Sequence, residues 1–592
     1  MSEHAHGAIA LKPIPEARHV FHGFVGRRLD ANLEHWLLIA PQANPAMLEM
    51  FRDRDRLPRR DLVPWAGEFA GKYLTSAVLA YRLHREERLR AQLDRFVDEL
   101  IAVQDADGYL GPFPRSERLT GRTADGKHAL WDLWGHYHCM LGLLLWYQQV
   151  CYQPALTACR RAADYICGRF LDTGERAIDA GAEEMNLAVS HVLALLYQET
   201  GEGRYLRMVR EIEMDWRTPQ AGDYVRTALA GMPFYQTPKP RWESLHDIQT
   251  ILTLYEITGD ENYRRAYEHI WHSIRATDRH NTGGFSSGEK AQGNPYHQGA
   301  IETCCTVAWM ALSVDMLRLT GDPAVADELE LSTINASLGA QSPSGRWWTY
   351  NTPMDGIRRA SAHDIMFQAR EGSPELNCCS VNGPRSLGML SEWAVMQSAD
   401  GITLNYYGPC AFAVPLPIGE TLTLTQHTDY PRSSHIEIIV GIREPTRLTL
   451  RLRIPAWSQH TMARLQGAMV STQPGSYLTL EREWRNGDAI ALDLDMSLRP
   501  WFGERECEGK VCLYRGPLLL AYDRRFNEID PHELKAPNLS AAQPVVTYWQ
   551  GSWPPPWVLL RVSTVGGRPI TLCDFATAGA CGTPYVTWLP AG

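Results

Sequence analysis

Three times before residue 330 this chain ends an apolar helix with Thr-Gly, follows with an acidic residue and starts a new helix. The segments are LYQETGEGRYLRMV from Leu196, LYEITGDENYRRAY from Leu254 and MLRLTGDPAVADEL from Met316. The glycine suits a helix C-cap, and the polar residue after it begins the next helix. A spacing of about sixty residues is that of a helical hairpin repeat. The hairpins carry apolar stripes: Leu93, Phe96, Val97, Leu100 and Ile101 share one helical face, and Tyr263, Tyr267, Ile270 and Ile274 another. Weaker hairpins surround Tyr81–Ile101 and Leu145–Ile166. Units of this kind must stack, either as an open solenoid or as a closed ring. Gly-, Trp- and His-rich segments interrupt the repeat where a central site would need loops. The expectation is therefore a closed (α/α)6 toroid, with a protein-binding α-solenoid as the alternative.

After about residue 402 the texture changes. ITLNYYG, TLTLTQH, HIEIIVGI, RLTLRLRIP and AIALDLDM are short, alternating and rich in β-branched residues, the pattern of antiparallel strands. KVCLYRGPLLLAYD and VVTYWQ continue it. The fold class expected is multidomain α+β. It comprises an N-terminal segment (1–14), a helical barrel (15–401), a β-sandwich domain (402–500) and a second β-rich domain (501–592). SWPPPW at 552–557 reads as a rigid surface connection.

Composition removes several function classes. The 592 residues are 44% hydrophobic and 21% charged, a globular mixture. A formal net charge of -10 offers no handle for nucleic acid or for an anionic membrane surface. No apolar run is long enough to span a membrane, and MSEHAHGAIALKPIPEARHV lacks the blocks of a signal peptide, so a cytoplasmic location is expected. Thirteen cysteines, an odd number, then read as reduced thiols. Cys151, Cys159 and Cys167 read as small core residues. The adjacent pairs Cys304-Cys305 and Cys378-Cys379 suit no local disulfide, which brings in metal binding or thiol chemistry.

Glu302 and Cys304 stand two apart where a loop enters a helix, and Cys378-Cys379 follow. One carboxylate and three thiolates make a tetrahedral Zn²⁺ site, since sulfur ligands favour zinc over magnesium or calcium. The same residues also suit a folding zinc or unmetallated core thiols, and spacing alone does not choose.

Gly288-Glu289, Glu302-Thr303-Cys304 and the CC-x-x-N-x-x-R run at 378–385 together resemble the glycoside hydrolase family typified by β-L-arabinofuranosidases, family 127. WAGEFAGKYL at 65–74, DGYLG at 107–111, LTGD at 319–322, RIPAW at 453–457 and RGPLLLAYD at 515–523 extend the resemblance over nearly the whole chain. It implies a helical toroid followed by β-sandwich domains. It also implies zinc held by Glu302, Cys304, Cys378 and Cys379, with Cys378 as nucleophile and Glu289 as general acid/base. His138, His191 and His246 resemble family histidines near the starts of inner helices, where they would contact sugar. Tyr350 offers a hydroxyl or a stacking face, and Trp65 and Glu68 fit the pattern without a stated role. Two departures stand out. Ser-Val follows the cysteine pair where relatives often carry Pro-Pro, and Glu289 lies nearer the Glu-Thr-Cys motif than in well-known members.

The implied chemistry is a retaining double displacement with sulfur in place of the usual carboxylate. Zinc would keep Cys378 ionised. Glu289 must hold its proton near neutral pH, most simply by burial beside apolar surface. The expected substrate is an oligosaccharide or small glycoside ending in β-L-arabinofuranose, or another unusual pectic sugar on the same site. An epimerase or lyase on the same toroid, and a scaffold with structural zinc, are the competing readings. The C-terminal β region offers a surface for a homodimer.

Overall fold

The computed structural model describes residues 6–123, 126, 128–285, 288–360, 377–539, 545–546, 549, 551, 554–566 and 568–592. The three Thr-Gly turns share one construction. Gly201, Gly259 and Gly321 sit at φ of +69°, +68° and +63°, where a Cβ would be strained. The hydroxyls of Thr200, Thr258 and Thr320 donate to the carbonyls of Leu196, Leu254 and Met316 at 2.7, 2.7 and 2.8 Å. They also accept the N–H of Glu202, Asp260 and Asp322 at 3.3, 3.2 and 3.2 Å. Asp260 and Asp322 then cap the next helix by accepting from Asn262 and Ala324 at 2.9 Å each. One short motif thus stops a helix and starts its antiparallel partner.

After α1 (Gly23–Asn32), five hairpins follow: α2 (Glu68–His84) with α3 (Glu87–Ala102), α4 (Asp132–Val150) with α5 (Gln153–Phe170), α6 (Val189–Thr200) with α7 (Gly203–Asp215), α8 (Ser244–Thr258) with α9 (Glu261–Thr277), and α10 (Thr303–Thr320) with α11 (Pro323–Leu331). A further helix, α12, spans Cys378–Gly388. The inner members α2, α4, α6, α8, α10 and α12 each pack on the next, and α12 returns to α2. The ring is closed, as a toroid requires. Outer helices bury one stripe, as Leu89, Leu93, Phe96, Val97 and Leu100 do on α3. Inner helices are buried nearly all round; on α2 every residue from Glu68 to Leu83 is. α2 and α4 touch backbone to backbone. A Cβ on Gly71 would stand 2.1 Å from the carbonyl carbon of His138.

Two sheets of a sandwich lie beside the ring. One runs Lys12–Pro13, Val395–Gln397, Gly401–Leu404, Thr446–Ile454, Ser476–Trp484; the other runs Ala468–Val470, Met462–Leu465, Ala489–Asp493, His435–Gly441, Thr421–Thr428, Cys410–Pro415, Arg18–Phe21. Arg18–Phe21 and Val395–Gln397, grouped with the helices on sequence, are therefore sheet strands. They are too short for alternation to mark them. A third sheet begins at Leu498 and orders Leu498–Phe502, Lys510–Arg515, Leu518–Asp523, Ile570–Asp574, Leu559–Val562 and Val545–Val546. Val545–Val546 is the described strand of the VVTYWQ run; Thr547, Tyr548 and Gln550 lie outside the described residues, as do Ser552 and Trp553.

Two local expectations need correction. Pro554, Pro556 and Trp557 are buried, so this end of the proline run is no surface connection. Trp557 stacks on Phe24 with centroids 4.3 Å apart, and its N–H donates to Asp574 at 2.7 Å. Cys159 and Cys167 are buried, but Cys151 is exposed because it is the left-handed C-cap of α4, at φ +57°. All thirteen cysteines are free thiols. Among the described residues no helix is long and apolar enough to cross a membrane.

Candidate active site

Glu68, His138, His191, His246, Cys304, Cys378 and Cys379 all sit in the first two turns of inner helices. The ring therefore gathers them at one end. Ile301–Glu302 pairs with Asn351–Thr352 in a short antiparallel ribbon, which fixes the entry to α10; Glu302 is its N-cap and Cys304 its second residue. Asn377 caps α12 reciprocally with Ser380, each bond 2.9 Å, and Cys378 and Cys379 open that helix. Two helix N-termini meet here, and their free N–H groups and positive dipole ends favour thiolates.

The ligand atoms of Glu302, Cys304, Cys378 and Cys379 lie within 4.8 Å of one another, and all four residues are buried. Cys379 Sγ is 3.5 Å from Glu302 Oε1, 3.5 Å from Cys304 Sγ and 4.0 Å from Cys378 Sγ. Zn–S bonds of about 2.3 Å in a tetrahedron place sulfurs roughly 3.8 Å apart, so the set fits zinc. Burial and then Cys378 hold the Glu302 carboxyl well above the usual carboxylate range. Burial raises the Cys304 thiol too, but hydrogen bonds from Cys378 and Cys379 and the Lys72 charge outweigh it and bring Cys304 to about 6. The bond to Cys304 pushes Cys378 up to about 12. Burial raises Cys379 as well, so the cluster keeps most of its protons by itself, and a cation bound among the four donors would be what ionises them together. Cys305 stays apart as a thiol 3.8 Å from Glu302 Oε2, raised by burial and by that carboxylate. Cys378 is 8% exposed, against 0–1% for the other three.

Glu68 and Lys72, one turn apart on α2, form an ion pair of 2.8 Å. Glu68 also accepts from Trp134 Nε1, and Lys72 Nζ lies 5.4 and 5.1 Å from the ring centres of Trp134 and Trp242. Burial, reinforced by Cys378, lifts Glu68 to about 7 against the pull of Lys72. Trp134 packs edge-on against His138 and His246 at 4.5 and 5.4 Å, and these two rings are 5.7 Å apart. Burial keeps both well below the usual histidine range, hence neutral. Their Nε2 atoms are buried with no hydrogen-bond partner among the described residues. His191, lowered to about 4 by burial, joins His246 through Tyr137, whose hydroxyl is 3.3 and 2.9 Å from their Nδ1 atoms. Tyr350 is buried beside the cluster, and burial and the cluster's charges push its hydroxyl up. His136, one turn after Asp132 on the same helix, is spent internally, accepting from Leu110 N–H at 3.0 Å.

Glu289 departs from expectation. Its side chain is 39% exposed and ion-paired with Arg241 at 2.7 Å, so burial beside apolar surface is absent. Glu243, carried by the same segment as Arg241, is buried and burial lifts it to about 7. Lys72, Trp134, Arg241, Trp242 and Glu243 escaped the sequence reading. Only the i,i+4 spacing of Glu68 and Lys72 could have flagged a pair in advance.

Residues 27–392 match the family model "Beta-L-arabinofuranosidase, GH127 catalytic domain", and residues 401–496 match the GH127 middle domain. A curated relative, the non-reducing end β-L-arabinofuranosidase of Bifidobacterium longum subsp. longum, is 26% identical over 509 residues, 78% of this chain and 75% of its own. A solved GH127 β-arabinofuranosidase superposes with TM-score 0.80 at 20% identity, covering 99% of this chain and 98% of that one. The GH127 β-L-arabinofuranosidase of Geobacillus stearothermophilus T6 gives 0.76 at 18%, covering 99% and 100%. At these identities the two structures speak to the fold. A closed helical ring with this donor cluster, matched to a catalytic-domain model, defines a glycoside hydrolase. The chain belongs to glycoside hydrolase family 127, which sets aside the epimerase and scaffold readings.

Proposed function

We propose that this enzyme is a retaining, exo-acting β-L-arabinofuranosidase, with Cys378 as nucleophile, Glu289 as acid/base and zinc held by Glu302, Cys304, Cys378 and Cys379. The observation that carries the reading is the position of Cys378: one of four clustered, buried donors, and the most exposed of them. The curated relative acts at non-reducing ends, which supports the exo mode. Zinc, when bound, supplies charge that keeps the sulfurs ionised at neutral pH. Cys378 Sγ then attacks the anomeric carbon while Glu289 passes its proton to the departing glycosidic oxygen; a C–S bond forms as the C–O bond breaks. In the second half, water gives a proton to the Glu289 carboxylate and attacks the same carbon. The C–S bond breaks and the thiolate returns, so two inversions retain configuration. His138, His191, His246 and Tyr350 hold the ring hydroxyls, and the catalytic work lies in the helical part, residues 15–401. An electrophilic furanose analogue followed by peptide mass spectrometry tests the assignment. A label on Cys378 is expected; a label on Cys379, Cys304 or any carboxylate refutes it. A nitrophenyl furanoside panel tests the sugar.

A further inference from the structure

The loop carrying Glu289 is bound to the segment that opens α8. Arg241 and Lys290 form an antiparallel bridge, Trp242 N–H donates to Glu289 C=O at 3.1 Å, and Ala291 N–H donates to Pro240 C=O at 2.8 Å. Across this ribbon one guanidinium holds two carboxylates. Arg241 Nε and Nη2 reach Glu243 Oε2 and Oε1 at 3.0 and 2.9 Å, and Nη2 also reaches Glu289 Oε2 at 2.7 Å. The fork onto Glu243 is bidentate, the geometry that fixes the guanidinium plane. Glu243 is itself buried as the N-cap residue of α8, the helix that carries His246. Gly288 and Glu289 sit at φ +71° and +68°. That conformation is unfavourable for a glutamate, so surrounding contacts must hold it.

We propose that Arg241 is the positioning residue of the acid/base Glu289, and that Glu243 is the anchor that orients Arg241. The inference rests on the acid/base reading of Glu289. A half-exposed glutamate on a loop samples several rotamers, and only some present its carboxyl to the glycosidic oxygen. The Arg241 bond removes that freedom. It also places a cation where negative charge develops as Glu289 releases its proton, so the contact strengthens along the acid step. Trp242, between Arg241 and Glu243 in sequence, packs on Trp134 and under Lys72, which ties the same segment to the wall of the sugar site.

The test compares two substrates of the holoenzyme, a nitrophenyl furanoside that needs little protonation and an alkyl furanoside or disaccharide that needs it fully. Arg241→Gln should cut kcat on the poor leaving group by about a hundredfold and on the activated one by less than about fivefold, with KM nearly unchanged. Glu243→Gln should show the same pattern more weakly, and Arg241→Lys should recover part of the loss. Equal losses on both substrates, or a loss confined to KM, would overturn the proposal in favour of a structural or binding role. Glu289→Gln distinguishes the two levels of failure. If it spares the poor leaving group, the acid/base reading itself falls; if it does not and Arg241→Gln does, only the positioning role falls.

Discussion

Lys72→Met would leave the Glu68 carboxyl alone inside the ring. The pair is 2.8 Å apart, with side chains 1% and 2% exposed. At an effective dielectric near 20, that separation gives roughly 6 kcal/mol of attraction, offset by several kcal/mol of desolvation for each ion. The intact pair is therefore close to neutral for stability, whereas either partner alone keeps its desolvation cost. Lys72→Met should destabilise by about 3–5 kcal/mol. Glu68→Gln should cost about 1 kcal/mol less, because Trp134 and Trp242 still hold the ammonium. The double variant should cost less than the sum of the singles by about 2–3 kcal/mol. Sign in pH follows from Glu68. Its folded value, already about 7 through burial, rises further without Lys72. A folded value above the unfolded one contributes stability at low pH that is lost as pH rises through the folded value. The Lys72→Met penalty should thus be larger at about pH 8.5 than at about pH 6. Urea unfolding followed by helical circular dichroism at both pH values reads all four corners. Strictly additive single losses, or a penalty that shrinks with rising pH, would refute the reasoning.

Elemental analysis of the purified chain should find one zinc, and Cys304→Ser or Cys379→Ser should lose it; full occupancy in both variants would contradict the ligand set. His191 is neutral in the fold, lowered to about 4 by burial, so the unfolded chain binds more protons as pH falls below the ordinary histidine value, and stability drops. From about pH 7.5 to about pH 5, His191→Gln should gain about 2 kcal/mol on the parent, and parallel pH profiles of parent and variant melts would count against it. Gly71→Ala puts a Cβ 2.1 Å from His138 backbone and should cost about 3 kcal/mol, despite the better helix propensity of alanine. An unchanged melting temperature would mean that α2 and α4 do not meet there.

What could be read in advance divides by the distance over which a residue acts. The Thr-Gly-acid turns are local: hydroxyl, glycine and carboxylate each act within four residues, so their meaning survives in one dimension. Glu302, Cys304, Cys378 and Cys379 were legible for a different reason: their donor types allowed a metal site without choosing it over core thiols, the family resemblance singled out these four, and the fold brings them together. The strands Lys12–Pro13 and Arg18–Phe21 hid because two and four residues carry no period, and their place is set by partners near residues 396 and 412. Trp557 hid inside a proline run whose burial depends on Phe24, far away in the chain.

The site itself shows the same division more sharply. A closed ring lets each inner helix offer one or two groups to a common end, so residues far apart in the chain become neighbours: Tyr137 with His246, Trp134 with Glu68 and Trp242, Cys304 with Cys379. Chemical type marks the reactive members of that set but not their counter-charges, because any surface lysine or arginine looks the same in a sequence. Lys72 pairs with Glu68 on its own helix and Arg241 with Glu243 two residues on, but the tryptophans over Lys72 and the Glu289 loop against Arg241 come from elsewhere in the chain. Glu289 illustrates the cost of missing them: burial beside apolar surface was the expected setting, and the fold places the residue against a guanidinium anchored by a second carboxylate instead. If Glu289 is the proposed acid/base, it is governed there by geometry and by the charge of its neighbour more than by an apolar pocket, so its behaviour should track Arg241 and Glu243 more than any change to the hydrophobic wall.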